Sequence, residues 1–283
     1  MRGMSDFGTS AAQIADFQTA VWDHYSLHRR DLPWRHTRDA YEILVSEVML
    51  QQTQVARVLQ KYHPFLRSFP TVKALGAAAV GEVLTSWSGL GYNRRALWLH
   101  ETARIVVDRH QGCVPASADA LRLLPGVGRA TAAAVCVFAF DQPQVFIETN
   151  IRSAFIHFFF PGPEPVADTD ILPLVEAALD RRRPRDWYYA LMDYGVWAKR
   201  TGNNPSRKSR HYAVQAPFAG SRRELRAQVL RALLAVAPSA LEPAAIGDQV
   251  SGDRPTTAVL ADVLEQLAAE GFLVAEGDRY RIA

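Results

Sequence analysis

Cysteine is scarce in this chain of 283 residues: only Cys113 and Cys136 occur. Two thiols exclude a disulfide framework and a four-thiolate metal site. Cys136 falls in an apolar run and is expected in a core, whereas Cys113, between Gly112 and Pro115, is expected in a loop. A basic-then-apolar leader is absent at the start, and no apolar run approaches the roughly 20 residues of a membrane helix. An intracellular protein without a membrane partner is therefore expected. Alternating strand patterns are rare before the last residues, and internal repeats and low-complexity segments are missing. Strong charge of one sign is missing too: the net charge is +3, with 22% charged residues and a hydrophobic content of 48%. That balance is ordinary for a soluble globular chain and only leans towards anionic partners. The length suffices for a sizeable core and two or three domains.

Helical spacing fills most of what is present. Ile14, Phe17, Val21 and Trp22 share one face of a helix predicted over 11–28, which Leu32-Pro33-Trp34-Arg35 ends. Helices are also predicted over 41–50 and 55–69, with Thr71 as the next N-cap. Two short helices reach Trp87, and a long one runs from Asn93 to about Arg109. Later helices start after Gly128 and near Asn150, and cover 171–181 and 187–199. From Lys199 to Arg223 there are seven Lys or Arg and no acid, and Gly202, Asn203, Asn204, Pro205 and Ser206 mark irregular structure. Beyond Glu224 a small helical unit closes with Phe272-Leu273-Val274 and Tyr280-Arg281-Ile282 around a Gly277-Asp278 turn, the pattern of a winged-helix domain.

Leu123-Leu124-Pro125-Gly126-Val127-Gly128, running into Arg129-Ala130-Thr131, reads as helix, glycine turn, helix. Glycine tolerates the positive φ of a tight turn. The first amides of the second helix then point outward at the positive end of its dipole, a surface suited to a phosphate oxygen. Such a grip reads no base edge. A plain helix–helix connection with a glycine cap is the other reading.

Glu47 lies in Ser46-Glu47-Val48-Met49-Leu50-Gln51-Gln52-Thr53-Gln54-Val55. On a helix its neighbours one turn away are Ile43, Leu44, Leu50 and Gln51. A carboxyl against an apolar wall loses solvation, keeps its proton towards neutral pH and becomes a general acid. Periodicity alone favours a rim glutamate with its head in water. Gln51 and Gln52 end that helix, where long amides either enter the gap left by an extruded base or simply cap the helix. Gly89-Leu90-Gly91-Tyr92-Asn93-Arg94-Arg95 reads as a helix stop, with Tyr92 over the core and Arg94 and Arg95 as surface charges.

Together Leu32 to Arg35, Ser46 to Val55, Gly89 to Tyr92 and Leu124 to Thr131 resemble, in order, the motifs of helix-hairpin-helix DNA glycosylases. The resemblance spans about residues 15–200 and is greatest to the adenine-specific, MutY-type branch. It implies an all-α, two-lobed fold over 11–220, with one lobe of about 41–155 and the other of about 11–40 plus 156–220, followed by the winged-helix-like domain over 221–283. It implies a monomeric enzyme that flips a mispaired or damaged base out of double-stranded DNA, adenine opposite guanine or 8-oxoguanine first, and cuts its N-glycosidic bond. A thymine or uracil mismatch glycosylase and a non-catalytic damaged-DNA binder are the alternatives.

By the same resemblance Glu47 matches the acid that protonates the base, Tyr92 a tyrosine facing sugar and base, and Asn150 an asparagine near the second carboxylate. Gln51, Gln52, Arg35, Arg94, Arg207 and Lys208 are expected at the DNA, together with Leu124, Gly126, Val127, Gly128, Arg129 and Thr131 of the hairpin, whose carbonyls in the family also hold a monovalent cation. No other metal is expected.

Three departures from the family stand out. The catalytic aspartate is replaced by Glu148, twenty residues after Gly128. Glutamate keeps the charge that stabilises an oxocarbenium-like sugar or activates water, but adds a methylene; a plain acid near a helix start, favoured by the dipole, is the other reading. The iron–sulfur cysteines are missing from the stretch Lys199 to Lys208, so no cofactor is expected and packing by Trp197, Tyr212 and Phe218 is expected to close that loop. Residues 224–283 are too few for the family's Nudix-like domain. Finally, Ala130 stands where bifunctional relatives carry a lysine nucleophile, which implies hydrolysis without efficient strand cleavage.

Overall fold

A computed structural model describes residues 10–201, 204–251 and 255–283. Gly202 and Asn203, read as irregular from sequence, lie outside these. The elements in chain order are α1 (Ala11–His28), a 3-10 turn (Pro33–Arg35), α2 (Ala40–Leu50), α3 (Val55–Ser68), α4 (Val72–Ala77), α5 (Val80–Trp87), α6 (Arg94–His110) and α7 (Ala118–Arg122). There follow α8 (Arg129–Phe140), α9 (Thr149–Phe159), α10 (Asp168–Ala178), α11 (Pro184–Arg200), a second 3-10 turn (Pro205–Lys208), α12 (Arg222–Val236), α13 (Pro243–Asp248), α14 (Thr257–Ala269), β1 (Leu273–Glu276) and β2 (Arg279–Ile282). The all-α reading holds, and α1, α2 and α3 fall within a residue of their predicted limits. Side-chain caps mark many of the starts: Ser10, Thr71, Ser117, Ser221 and Thr256 each accept a backbone amide of the following turn. No helix among the described residues is long and apolar enough to cross a membrane.

The chain divides into two compact units, which differ from the predicted lobes. The first comprises residues 1–47, 115–123 and 127–214, and the second residues 48–114, 124–126 and 215–283. Residues 127–155 thus group with α1 and α11, and the C-terminal elements group with α3–α6.

In the first unit α11 packs on α1 and α9. Phe17 of α1 is fully buried, its ring 4.7 Å from Phe155 of α9 and 6.2 Å from Trp187 of α11. Helix α8 is apolar all round and correspondingly buried from Ala132 to Ala139. Asp193 of α11 ties the N-terminal segment down: Arg35 donates two hydrogen bonds to its carboxylate (both 2.8 Å), and Arg30 adds its own through Nε at 2.5 Å. Burial alone would push the Asp193 carboxyl up, but the Arg35 and Arg30 guanidiniums hold it below the usual carboxylate value.

In the second unit α4 lies on α6 at a close approach. A Cβ on Gly76 would stand 3.2–3.4 Å from the backbone of Ala103 and Arg104. The C-terminal elements bury Leu233, Val263, Leu264, Leu267 and Phe272, with β1 and β2 paired antiparallel, Leu273 opposite Ile282. Helix α12 packs on α5. Glu270, at the end of α14, accepts ion pairs from Arg226 (2.6 Å) and Arg94 (3.0 Å).

Candidate active site and nucleic-acid interface

Helix α2 runs into the site with Ile43 and Leu44 each 1% exposed, and Glu47 follows them one turn on, itself half-buried. Burial pushes the Glu47 carboxyl up to about 8, and the nearby negative charge of Glu148 adds to the rise. Both acids belong to the first unit, and their electrostatic coupling places them in one locality.

Glu148 is the N-cap of α9. Its Oε1 accepts the backbone amides of Asn150 (2.7 Å) and Ile151 (2.8 Å), and its Oε2 accepts Asn150 Nδ2 (3.1 Å). The helix dipole and three donors thus hold the Glu148 carboxyl in place. Asn150 Oδ1 in turn accepts from Lys199 Nζ on α11 at 2.8 Å. Packing of α11 against the start of α9 requires Gly195. A Cβ there would overlap the Asn150 carbonyl oxygen and stand 2.6 Å from its carbon. Lys199 and Gly195 escaped the sequence reading. One looked like the start of a solvated basic loop, and the other carries no side chain to notice.

In the second unit the turn after α5 carries positive φ at Gly89 (+94°), Gly91 (+71°) and Tyr92 (+48°). The last is costly for an aromatic residue, and strain of this kind concentrates at functional sites. The Tyr92 hydroxyl is buried without a hydrogen-bond partner within the structure. A buried hydroxyl left unpaired costs about 1–3 kcal/mol, which argues that this group serves a ligand.

Arg95 is not the surface charge its sequence suggests. It is 4% exposed, and its guanidinium donates to the carbonyls of Val48 (2.8 Å), Met49 (2.9 Å), Gln51 (2.5 Å) and Gly91 (3.0 Å) and to Thr53 Oγ1 (2.8 Å). It satisfies the orphan carbonyls at the end of α2 and staples them to the Tyr92 turn. Burial lowers its pKa to about 10, still high enough to stay charged. Arg95→Met strips the donors from these buried acceptors. A loss of at least about 3 kcal/mol of unfolding free energy in denaturant titration is expected.

The hairpin is as predicted in backbone and different in side chains. Gly126 has φ +71°, and a Cβ on it would stand 2.9 Å from Trp98. Gly128, Arg129 and Ala130 are exposed, and the amide of Ala132 donates to the Gly128 carbonyl at 2.9 Å. The start of α8 is thus exposed at the positive end of its dipole, as an anion site requires. Leu124 and Val127, expected at the DNA, are core residues at 4% and 5% exposure, because apolar side chains flanking the turn anchor it. Leu123, the first residue of the motif, is the exposed one, at 85%. Thr131 is half-buried on α8.

Other expected DNA contacts are spread more widely. Gln51 donates through Nε2 to the Gly126 carbonyl (3.3 Å), and Gln52 is exposed with φ +53°. Arg35 is a correction: its side chain, 7% exposed, is consumed by Asp193, since a buried carboxylate needs a paired cation. Lys208 is another, its Nζ donating to the carbonyls of Phe160 (2.5 Å) and Gly162 (2.6 Å). Arg207 is exposed, and Arg94 lies between Glu270 and the Trp98 ring. The stretch after α11 is closed by backbone pairing of Val166 with Lys208 and Arg210, not by Tyr212 and Phe218, which are 43% and 54% exposed. Trp197 instead stacks near His24 and Tyr194.

An acid kept protonated by burial, a capped carboxylate beside it and an outward-facing hairpin are the equipment of a base-excising enzyme. The profile of the HhH-GPD superfamily of base excision DNA repair proteins matches residues 45–181. A solved thermostable thymine-DNA glycosylase, 27% identical, superposes with a TM-score of 0.58 over 65% of this chain and 87% of that chain. Fold and site thus define a DNA glycosylase of the helix-hairpin-helix class. The adenine DNA glycosylase of Mycolicibacterium smegmatis is 34% identical over 294 residues, 95% of this chain and 99% of that one. That of Homo sapiens is 37% identical over 197 residues, 65% of this chain and 36% of its own length. The chain belongs to the adenine DNA glycosylase family.

Proposed function

We propose that this protein hydrolyses the N-glycosidic bond of adenine mispaired with guanine or 8-oxoguanine. The observation that carries the reading is the Glu47 carboxyl, held protonated up to about 8 beside the charged Glu148. Glu47 donates its proton to the adenine ring and turns it into a neutral leaving group. Glu148, held by the Asn150 and Ile151 amides, stabilises the positive charge that develops on the sugar and orients the water that attacks it. Tyr92 meets the extruded nucleotide with its unpaired hydroxyl, and Gln51 fills the vacated stack. The exposed start of α8, at the positive end of its dipole, holds a phosphate.

Ala130, exposed on the first turn of α8, offers no amine for attack on the sugar, so the strand is left intact. The stretch after α11 does not fit an iron–sulfur cluster, because Cys113 and Cys136 lie elsewhere in the chain. We read α12 to β2 as a winged-helix module. Its α14 carries Asp262 and Glu265 and no Lys or Arg, which disfavours insertion of that helix into a DNA groove.

The likeness to a thymine-DNA glycosylase favours a pyrimidine mismatch as the second reading. Mass spectrometry of bases freed from duplexes carrying adenine opposite 8-oxoguanine, adenine opposite guanine, and thymine or uracil opposite guanine separates the two. Free adenine is expected from the first two. Release of thymine or uracil alone would overturn the proposal, and no release from any duplex would favour a non-catalytic binder. Glu148→Gln is expected to bind the adenine duplexes as the wild type does and release no base.

A further inference from the structure

Lysine is rare here: of 32 Lys and Arg residues only Lys61, Lys73, Lys199 and Lys208 are lysines. Lys199 is the one set against the candidate catalytic carboxylate. It sits in the last turn of α11, half-buried, with Nζ 2.8 Å from Asn150 Oδ1. An ammonium donates and never accepts. It therefore fixes the Asn150 amide with its oxygen towards Lys199 and its Nδ2 towards Glu148 Oε2, at 3.1 Å. Turned over, the same amide would set its oxygen against a carboxylate.

We propose that Lys199 is a positioning residue for base excision, fixing the Glu148 carboxylate through Asn150 and setting a positive charge near it. The proposal rests on the catalytic reading of Glu148. Glu148 is faced by Glu47 from α2 and by Lys199 from α11. Lys199 is faced by Glu148 and by Arg152 and Arg30, which are themselves bound to Asp168 (2.6 Å) and Asp193 (2.5 Å). Burial lowers the Lys199 pKa, the charge of Glu148 opposes that, and the two arginines reinforce it. A lysine held on a carboxylate's side of such a balance is an electrostatic partner, not a solvated surface charge.

The test is single-turnover adenine release from an adenine:8-oxoguanine duplex between pH 5 and 9, with duplex affinity measured in parallel. Lys199→Arg keeps charge and donor, Lys199→Gln keeps a donor only, and Lys199→Met keeps neither. The Met variant is expected to react about 10- to 100-fold more slowly at pH 7, with affinity within about threefold of wild type. Its acidic limb moves to higher pH, because the carboxylate has lost its cation. The Gln variant shows the same displaced limb with a smaller loss of rate, and the Arg variant keeps the wild-type limb. A Met variant with wild-type rate and limb, while Glu148→Gln is inactive, overturns the proposal. So does a loss of affinity that accounts for the whole loss of rate. If the Met variant fails to fold, identical limbs for the Gln and Arg variants overturn it. Full activity of Glu148→Gln would instead overturn the catalytic reading beneath it.

Discussion

Glu47→Gln is expected to lower adenine release by about 10²- to 10⁴-fold while leaving duplex binding intact. The substitution keeps size and hydrogen-bonding capacity but removes the transferable proton. It is also expected to change stability in a direction that loss of an ordinary surface carboxylate would not. The Glu47 carboxyl titrates near 8 in the folded chain and near 4.5 once unfolded. The native state therefore holds the proton more tightly. The stability this provides is complete below the unfolded value and is lost as pH rises through the folded one. The glutamine side chain has no proton to lose, so the variant gains on the wild type across that window, at a slope approaching about 1.4 kcal/mol per pH unit. Thermal melts of both proteins at pH 5.5, 7 and 8.5 read the trend. A wild type that stays level with Glu47→Gln at every pH would show that the carboxyl is not raised.

Gly195→Ala is the second large effect, and nothing in its chemistry announces it. The added methyl group collides with the backbone of Asn150, and a backbone carbonyl cannot rotate aside as a side chain can. Either α11 moves off α9, opening a core that includes Phe155 and Trp187, or the first turn of α9 shifts and takes the Glu148 cap with it. Overpacking of this kind costs about 1–3 kcal/mol and at a backbone contact more. A displacement of ~1 Å at a reacting group costs ~10²-fold in rate. Denaturant titration and single-turnover base release are both expected to fall in the same variant. Wild-type behaviour in both assays would show that α9 and α11 are farther apart than described.

The sequence was informative wherever a local pattern decides the outcome. The periodic faces of α1, α2 and α3, the glycine turn at Gly126 and the acid at Glu47 were all legible. The direction of the Glu47 shift was legible too, because Ile43 and Leu44 announce the apolar wall that is its largest cause; the added charge of Glu148 was not, because it comes from a distant part of the chain. Contacts of long sequence separation explain the other differences. Arg35 resembles a free basic residue until Asp193 is placed against it. Arg95 resembles its neighbour Arg94, yet one closes the end of α2 and the other pairs with Glu270. Lys199 opens a run of basic residues that reads as solvated, and only the approach of α9 turns it inward. At 148, where the family motif has aspartate, the chain carries glutamate. The longer side chain still curls back onto the amides of Asn150 and Ile151 as an N-cap.

The pH dependence of single-turnover adenine release by the wild-type protein tests the account of a proton-holding Glu47 near Glu148 most directly. With an adenine:8-oxoguanine duplex in hand, a plateau through neutral pH is expected, followed by a decline of about tenfold per pH unit above the Glu47 value of about 8. A rate that stays flat or climbs from pH 7 to pH 10 would contradict the account.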